Sequence, residues 1–516
     1  MVMTICTLSE GKIQELLRRL LALLYRVGEL LHSCAGPTPC DYSTMLDINI
    51  FQYDFKGDLV TTGHPDYAAA IARWASNAER HATIVAFGKD NADVVCAIKF
   101  ARNNGLEIAV RGGGHSASGA SSTEGGLVID LSRYMNGVTV DADNKLAYVD
   151  GGAIWETVDR ETMAHGLAAV AGTVNHTGVG GLTLGGGYGW LSGERGLVID
   201  NLVQATVVTS DGSILTASAD ENIDLFFAIR GGGGNFGVVT QFVFKLTLQR
   251  RTVYSGEVIF PVSRMEEVVH RTNTWWESAH GKEGLFVAFI TDPEGNPMIW
   301  SFVFYNGSES EGRANFEWLL NMDPVVDTTR EVKYEEVNSL MNHLFPHGKG
   351  TLFHSVTFRH IDLPTIQITH RRLVETAMPK IFQEQAVLYQ FVPRGVINAV
   401  PRNATAFRRD NASNTVDVLL SFRWDQNNGD QTESARAVSK ELEEILCKGE
   451  TGLSSQEKLG YSNHDADAST TSIQSKIPGS KAKLVFGDNY QRLQGIKKHY
   501  DPDNVFNKWF PIMPAS

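Results

Sequence analysis

A histidine stands at the end of a run of three glycines in the segment RGGGHS, residues Arg111–Ser116. An imidazole can act as a nucleophile, a general base or a metal ligand near neutral pH. Successive glycines leave backbone N–H groups uncovered, and such a nest of donors binds phosphate without net positive charge. His115 is therefore a candidate reactive group beside a candidate phosphate site, with a tight turn between core strands as the alternative.

The 49 glycines of the chain are unevenly spread. Besides 111–119 they concentrate in residues 178–189 (GVGGLTLGGGYG) and 231–237 (GGGGNFG), which expose more main chain than a turn requires. The three clusters together predict a large planar cofactor with phosphates lying close to the backbone. A Rossmann turn does not fit, because residues 117–125 are too small and glycine-rich to form its helix, and no P-loop sequence occurs.

Composition narrows the class of protein. A formal net charge of −13 over 516 residues argues against a nucleic-acid partner. Five cysteines form no disulfide framework, and the histidines lack metal-binding spacings, so we expect no metal. Residues 13–32 place leucines at helical spacing but carry too many charges to span a bilayer, so we expect an amphipathic helix. The compartment stays open, with an intracellular location favoured over secretion.

Hydrophobic patterning predicts two regions of different texture. In the glycine-rich region the predicted strands lie at 83–86, 106–110, 126–130, 138–140, 147–149, 201–209, 214–216 and 238–246, and the helices at 90–103 and 154–165. After residue 248 the predicted strands lie at 256–260, 285–290, 298–304, 386–392 and 417–424, and the helices at 265–278, 311–320 and 489–499. The second region predicts a separate α+β lobe with a larger antiparallel sheet.

The three glycine clusters and the C-terminal segments YSN and FGDNYQRLQGIKKHYDPDNVF resemble the berberine-bridge-enzyme-like flavoproteins in order and spacing. The resemblance covers residues 50–510, and its texture is closer to fungal and bacterial members, including 6-hydroxynicotine-oxidase-like proteins, than to plant ones. It implies an α+β, two-lobed FAD-binding fold of the vanillyl-alcohol-oxidase type, with a substrate lobe built on an antiparallel sheet covered by helices. The implied parts are an N-terminal helical extension (1–45), an FAD-binding domain (46–247), a substrate-binding domain (248–470) and a C-terminal return to the FAD-binding domain (471–516).

The resemblance implies FAD bonded covalently to His115 through its 8α carbon. Relatives with a second link carry a cysteine at the position of Val174, and no cysteine lies near it here, so we expect no cysteinyl link. Thr177 occupies the position that tunes oxygen access in relatives, so the reactivity of the flavin with oxygen stays open. O2 is nevertheless the expected electron acceptor. The residues expected to contact FAD are Arg111, Gly112, Gly113, Gly114, His115, Ser116, Gly119, Thr177, Gly178, Gly181, Gly185, Gly187, Tyr188, Gly237, Val239, Asn463 and Asn504.

Oxidation at a flavin removes a hydride from substrate carbon while a base takes a proton from the substrate O–H or N–H. The resemblance implies Tyr188 and Tyr461 as candidate bases, with His464 as a third, and core packing is the alternative for each. Strands 386–392 and 417–424 are expected to line the substrate cavity, and only alternate residues of a strand can face it. Their candidate contacts are Tyr389, Gln390, Phe391, Arg423 and Trp424, and the segments 394–400, 403–409 and 345–348 are expected to border the cavity.

These observations predict an FAD-dependent oxidoreductase, either oxidase or dehydrogenase, acting on a small alcohol, amine or secondary metabolite. The same scaffold hosts carbohydrate and oligosaccharide oxidases, and a flavin-binding isomerase or cyclase without net redox chemistry is a third alternative. The expected partners are a small-molecule substrate and O2, with no nucleic acid and no membrane span. We expect a monomer or a weak homodimer.

Overall fold

The structure is a computed structural model, which describes residues 48–291, 296–377, 381–409, 415–450, 452–469 and 480–516. The N-terminal extension 1–45, with the helix predicted at 13–32, lies outside the described residues. So do Cys6, Cys34 and Cys40. The described chain combines helices with four β-sheets, and this mixed architecture confirms the predicted α+β class.

The first sheet contains the two strands between which the RGGGHS loop lies. Its strands are β1 (Asp58–Thr61), β2 (Ile84–Phe87), β3 (Ile108–Arg111) and β4 (Leu127–Asp130). The order is β1-β2-β4-β3, with β2, β4 and β3 parallel and β1 antiparallel at the edge. Helix Asn91–Asn103 connects β2 to β3, and its first turn is capped by Asp90, which accepts the Asp93 N–H at 3.1 Å. Strand β3 ends at Arg111, so the glycine loop begins at the carboxyl end of this strand.

The second sheet is antiparallel and positions the other two glycine clusters. Its strands are β5 (Val138–Asp141), β6 (Leu146–Asp150), β8 (Leu202–Val208), β9 (Ile214–Ser218) and β10 (Val238–Lys245), in the order β5-β6-β10-β8-β9. A two-stranded ladder pairs β7 (Leu167–Ala168) with β11 (Thr247–Leu248). The helices of this region are Trp155–Ala164, Val179–Leu184, Ser192–Arg195 and Ile223–Ile229, after the preceding helices Ile48–Asp54 and Tyr67–Ile71.

The third sheet has eight antiparallel strands. They are β12 (Thr252–Pro261), β13 (Glu283–Thr291), β14 (Pro297–Tyr305), β15 (Val326–Asp327), β16 (Arg330–Lys333), β17 (Gly350–Phe358), β18 (Glu384–Phe391) and β19 (Val416–Trp424). The order is β15-β12-β14-β13-β18-β19-β17, with β16 also paired to β12. The remaining helices are Met265–Ser278, Glu309–Asn315, Glu317–Leu320, Tyr334–Val337, Leu363–Ala377, Gly395–Ala399, Thr432–Gly449, Ser480–Phe486 and Tyr490–Tyr500.

The two faces of the eight-stranded sheet have different roles because side chains alternate along a strand. On one face Val387, Tyr389, Phe391, Leu420 and Phe422 join the buried cluster formed with the long helices of this region. The opposite face lines a cavity that is described below. The predicted sheet covered by helices is thus confirmed.

Most predicted elements are confirmed within one to four residues at each end, and the helix 265–278 coincides with Met265–Ser278. The helix predicted at 311–320 is wrong as one element, because the chain breaks at Phe316 into Glu309–Asn315 and Glu317–Leu320. Three long elements are additional: β17 and the helices Leu363–Ala377 and Thr432–Gly449. Residues 48–516 cluster as one compact unit, and the division into lobes at 247 and 470 stays a prediction.

Candidate active site

A cavity of about 980 Å³ lies between the glycine clusters and the open face of the eight-stranded sheet. Most residues expected to contact a cofactor or substrate meet in its wall. Those that line it are Gly112, Gly113, Gly114, His115, Ser116, Thr177, Gly178, Gly181, Gly185, Tyr188, Gly237, Val239, Tyr461, Asn463 and His464. Four of the residues expected to contact FAD do not line it: Arg111, Gly119, Gly187 and Asn504.

The four residues outside the wall have structural positions next to it. Arg111 pairs with buried Asp130 at 3.2 Å and donates to the Ala70 carbonyl. Its guanidinium therefore connects β3 to β4 and to the helix Tyr67–Ile71. Gly119 and Gly187 adopt φ values of +84° and +74°, and Asn504 adopts +53° in the turn after the last helix. These left-handed conformations bend the chain beside the cavity.

The first and second glycine clusters cross at backbone contact distance. A Cβ atom on Gly178 would lie 2.4 Å from the Gly113 nitrogen, so both positions require glycine. At Gly181 and Gly234, by contrast, a Cβ atom would meet no protein atom within 4 Å, and both residues line the cavity. The bare backbone at these two positions therefore faces space rather than protein.

His115 lies in a cluster of aromatic rings. Its ring stacks on Trp74 with centroids 4.1 Å apart, and its Nε2 lies 3.0 Å from Nδ1 of His176. The His176 ring is 4.8 Å from that of His347. Burial and the neighbouring histidines hold the pKa of His115 well below its usual range, and burial lowers the pKa of His176 to about 4. Both rings are therefore neutral at pH 7.

The segment that carries His176 is fixed from outside the glycine cluster. Asn175 donates its backbone N–H to the Asn338 carbonyl at 2.8 Å, and its side-chain oxygen accepts the Asn342 amide at 2.7 Å. Asn338 in turn donates to buried Asp159 at 2.8 Å. Asn175 begins the N-glycosylation sequon Asn-His-Thr at 175–177. Its side chain is not accessible, since the residue is only 5% exposed.

Tyr188, Tyr461 and His464 form one group in the cavity wall. The Tyr461 oxygen accepts the Gly187 N–H at 3.0 Å and the Asn463 amide at 2.7 Å. The Tyr188 ring lies perpendicular to that of Tyr461 at 4.9 Å, and its hydroxyl donates to the side-chain oxygen of Gln390. The His464 ring packs edge-on against Tyr461 at 5.1 Å.

The electrostatics of this group differ between the two phenols and the imidazole. Burial raises the pKa of Tyr461, whereas the two N–H donors oppose that rise because they stabilise the phenolate. Burial, together with Asp417, raises the pKa of Tyr188 well above its usual range. Burial lowers the pKa of His464 to about 4, and its Nδ1 has no hydrogen-bond partner among the described residues. The His464 ring is therefore neutral at pH 7.

Alternation decides which of the expected substrate contacts face the cavity. Gln390 and Arg423 line it, whereas Tyr389, Phe391 and Trp424 point to the helix-covered face.

The segment 403–409 lies behind the wall. There the Phe407 ring packs on Gly186, and Arg409 pairs with Asp200. Of the segment 345–348, Phe345 lines the cavity.

The C-terminal tail closes the third glycine cluster. The buried Lys497 ammonium donates to Asp501 at 2.6 Å and to the carbonyls of Asn235 and Phe506 at 2.7 Å. The Asn235 side chain donates to the carbonyl of Trp509 at 2.9 Å. These bonds bring residues 506–509 into the cavity wall, although sequence reasoning predicted only Asn504 there.

Two histidines beside His115, His176 and His347, were not among the predicted site residues, and neither lines the cavity. His176 stands two residues before Gly178, and that short spacing was the available signal. His347 reaches the cluster only through the fold. Of the cysteines in the described part of the chain, Cys96 and Cys447 are free thiols, and neither lines the cavity. Val174 does line it.

No group of three or more His, Cys, Asp or Glu side chains among the residues that the structure describes could hold a metal ion. No helix in that part of the chain is long and apolar enough to cross a membrane.

Comparison with known proteins identifies similar chains. Residues 82–218 match the family described as FAD binding domain, and residues 478–511 match the one described as Berberine and berberine like. The chain is 32% identical to the FAD-linked oxidoreductase pgmH of Aspergillus terreus over 494 residues, covering 91% of this chain and 96% of that protein.

Solved structures show the same fold. The 6-hydroxy-D-nicotine oxidase from Arthrobacter nicotinovorans superposes with a TM-score of 0.79 at 26% identity, covering 92% of this chain and all of that one. Berberine bridge enzyme from Eschscholzia californica gives a TM-score of 0.79 at 21% identity, covering 91% of this chain and 99% of that one. The second likeness bears on the fold alone.

Proposed function

The chain belongs to the berberine-bridge-enzyme-like FAD-linked oxidoreductases, and on that premise we propose that it oxidises a small alcohol, amine or secondary metabolite. The observation that carries the proposal is the continuous cavity from the glycine clusters to Tyr188, Tyr461 and His464. It offers one end suited to a dinucleotide and another suited to a substrate. We further propose that residues 46–247 and 471–516 hold FAD and that residues 248–470 hold the substrate.

The residues present fit FAD. Bare backbone at Gly181 and Gly234 leaves open space where a side chain would stand, and the N–H groups of the first loop suit a pyrophosphate. Gly112–Ser116, Thr177, Gly178, Val239 and Asn463 would hold the cofactor. When bound, FAD supplies a two-electron acceptor for the hydride of the substrate.

We propose that FAD is attached covalently through Nδ1 of His115 and nowhere else. The Nε2 of His115 lies 3.0 Å from His176 Nδ1, and we propose the tautomer in which Nε2 donates this hydrogen bond and Nδ1 keeps its lone pair. A lowered pKa keeps that lone pair free of a proton. Attachment would replace one C–H bond of the 8α methyl group and the N–H bond of the imidazole by the C–N bond, and the two electrons and two protons released would pass to O2 as H2O2. Val174 offers no second nucleophile.

Tyr461 is the base that the hydrogen bonds favour. Its oxygen accepts two N–H donors, and a phenolate is the form that such donors stabilise. In this role Tyr461 takes the proton from the substrate O–H or N–H. The Tyr188 hydroxyl instead donates a hydrogen bond to the side-chain oxygen of Gln390, and this bond fixes the orientation of the Tyr188 ring in the cavity wall.

His464 is the second candidate base, and a specific observation favours it. Its Nδ1 is buried without a partner among the described residues, and its ring is neutral at pH 7 because burial lowers its pKa to about 4. A base must be within hydrogen-bond reach of the proton that it removes, and His464 lines the same part of the cavity as Tyr461. Loss of the correct base is expected to slow flavin reduction by about 10²–10⁴-fold.

Anaerobic mixing of the purified protein with a panel of alcohols and amines tests the proposed reaction. Bleaching of the flavin band indicates hydride transfer, and peroxide formed after air is admitted indicates an oxidase. The panel includes oligosaccharides, since the fold is shared with oxidases of that class. Binding that perturbs the flavin spectrum without bleaching it, across every compound that binds, would contradict the redox proposal.

The variants Tyr461→Phe, His464→Asn and Tyr188→Phe then separate the candidate bases. We expect Tyr461→Phe to reduce the rate of bleaching most and Tyr188→Phe least, since the Tyr188 proton is already engaged. A larger loss in His464→Asn than in Tyr461→Phe would transfer the role to His464.

A further inference from the structure

The far end of the cavity carries a buried arginine. Arg423 lies on β19 six residues beyond Asp417, and both side chains point to the cavity side because six is an even step. At about 3.4 Å per residue, roughly 20 Å of strand separates the two positions. Asp417 is paired in the sheet with Gln390, the residue that holds Tyr188. Arg423 therefore marks the end of the cavity opposite to the reacting group.

The hydrogen bonds of Arg423 are incomplete. Its Nη2 pairs with Glu384, the residue opposite it on β18, but Nε and Nη1 have no hydrogen-bond partner among the described residues. The residue is only 7% exposed and lines the cavity. The other two buried arginines of the described chain differ from it: Arg73 has hydrogen bonds at all three nitrogens, Arg409 lacks a partner only at Nε, and neither lines the cavity. Two unmet donors on one buried cation are costly unless a ligand accepts them.

The surroundings of Arg423 suit an aromatic molecule. Its guanidinium lies 5.6 Å from the Phe345 ring centre, and the wall between it and Tyr461 includes Phe353, Trp300 and Leu388. The Glu384 side chain is 46% exposed, so its salt bridge with Arg423 lies at the rim of the cavity. The nearby Lys349 and Asp425 pair with each other at 2.7 Å and neutralise each other. Burial lowers the pKa of Arg423 to about 10, so it stays charged at neutral pH.

We propose that Arg423 binds a carboxylate on the substrate, so that the enzyme acts on elongated aromatic acids. The carboxylate accepts the Nε and Nη1 donors at the outer end, the rings lie against the aromatic wall, and the carbon to be oxidised lies beside Tyr461. The inference rests on the proposed function for its reacting end, but the anion site itself is independent of the chemistry.

Calorimetric titration with 2-naphthoate and 2-naphthamide tests the anion site on the holoenzyme at pH 7.5. The two probes share a ring system and differ in charge. A charge-assisted hydrogen bond to a buried cation predicts that the wild type binds the acid at least about tenfold more tightly than the amide. Arg423→Gln is expected to lose that preference while binding the amide as before. Arg423→Lys is expected to keep part of the preference.

Lys349→Gln is the matched control, since it removes one positive charge from the same rim and is expected to keep the preference. Equal affinity of the wild type for the two probes, or a preference that survives in Arg423→Gln, would overturn the proposal. Flavin content and anaerobic bleaching are measured on the same samples. A protein that prefers the acid but never bleaches would contradict the proposed function and leave the anion site standing.

Discussion

Gly181 provides a sharp test of where the flavin lies. It is inside the helix Val179–Leu184, its φ is in the ordinary helical range, and a Cβ atom there would meet no protein atom within 4 Å. Without a ligand, Gly181→Ala therefore has no steric cost. Alanine in a helix interior is favoured over glycine by about 0.5–1 kcal/mol, so the flavin-free protein should gain that much free energy of unfolding.

With flavin the same methyl group stands in the space that the proposal assigns to the cofactor. Forcing an extra methyl group against a well-packed neighbour costs about 1–3 kcal/mol, which corresponds to roughly tenfold weaker binding or more. We therefore expect Gly181→Ala to raise the FAD concentration for half-maximal incorporation by about tenfold. The measurement uses flavin-free protein from riboflavin-starved cells, titrated with FAD and followed by visible absorbance.

Gly495→Ala is the matched control for this experiment. Gly495 also lies inside a helix with no atom within 4 Å of an added Cβ, but it is outside the cavity. We expect the same gain of about 0.5–1 kcal/mol in urea denaturation and unchanged FAD incorporation. If Gly181→Ala incorporates FAD as readily as Gly495→Ala, the assignment of the second glycine cluster to the cofactor is refuted.

Three other perturbations have defined outcomes. His176→Phe should lower the fraction of flavin that stays with acid-precipitated protein, because His115 loses the acceptor that fixes its tautomer; full covalent incorporation would contradict that role. Lys497→Met should cost about 3–5 kcal/mol in urea denaturation, because it leaves buried Asp501 without its cation, whereas exposed Lys498→Met should be nearly neutral. Burial raises the pKa of Asp159 to about 7, so the folded state binds a proton that the unfolded state has lost above about pH 4. The free energy of unfolding should then fall between about pH 4 and 7, by about 4 kcal/mol at most, and Asp159→Asn should remove that slope.

The glycine clusters and the strands were predictable because their signals are local. Three uncovered stretches of backbone indicated a phosphate-bearing planar ligand, and alternating apolar residues located most strands. Ala386, Leu388 and Gln390 of β18 line the cavity at even steps, as the same alternation predicts. These features depend on residues that are neighbours in sequence.

The remaining features depend on contacts between distant segments. His115 and His176 are separated by 61 positions and meet because Gly113 and Gly178 cross at backbone contact. Lys497 reaches Asn235 across 262 positions, so no local pattern indicated that residues 506–509 would line the cavity. The break at Phe316 is likewise a tertiary effect, since this fully buried ring packs against Trp275 in another helix.

The claim that FAD is covalently bound through His115 alone is tested most directly by the absorption spectrum of acid-precipitated protein. We expect the yellow colour to stay with the wild-type pellet. In His115→Ala, which keeps the glycine clusters, flavin should still bind but should wash into the supernatant. Colour that leaves the wild-type pellet, or that stays with the pellet of His115→Ala, would contradict covalent attachment through His115 alone.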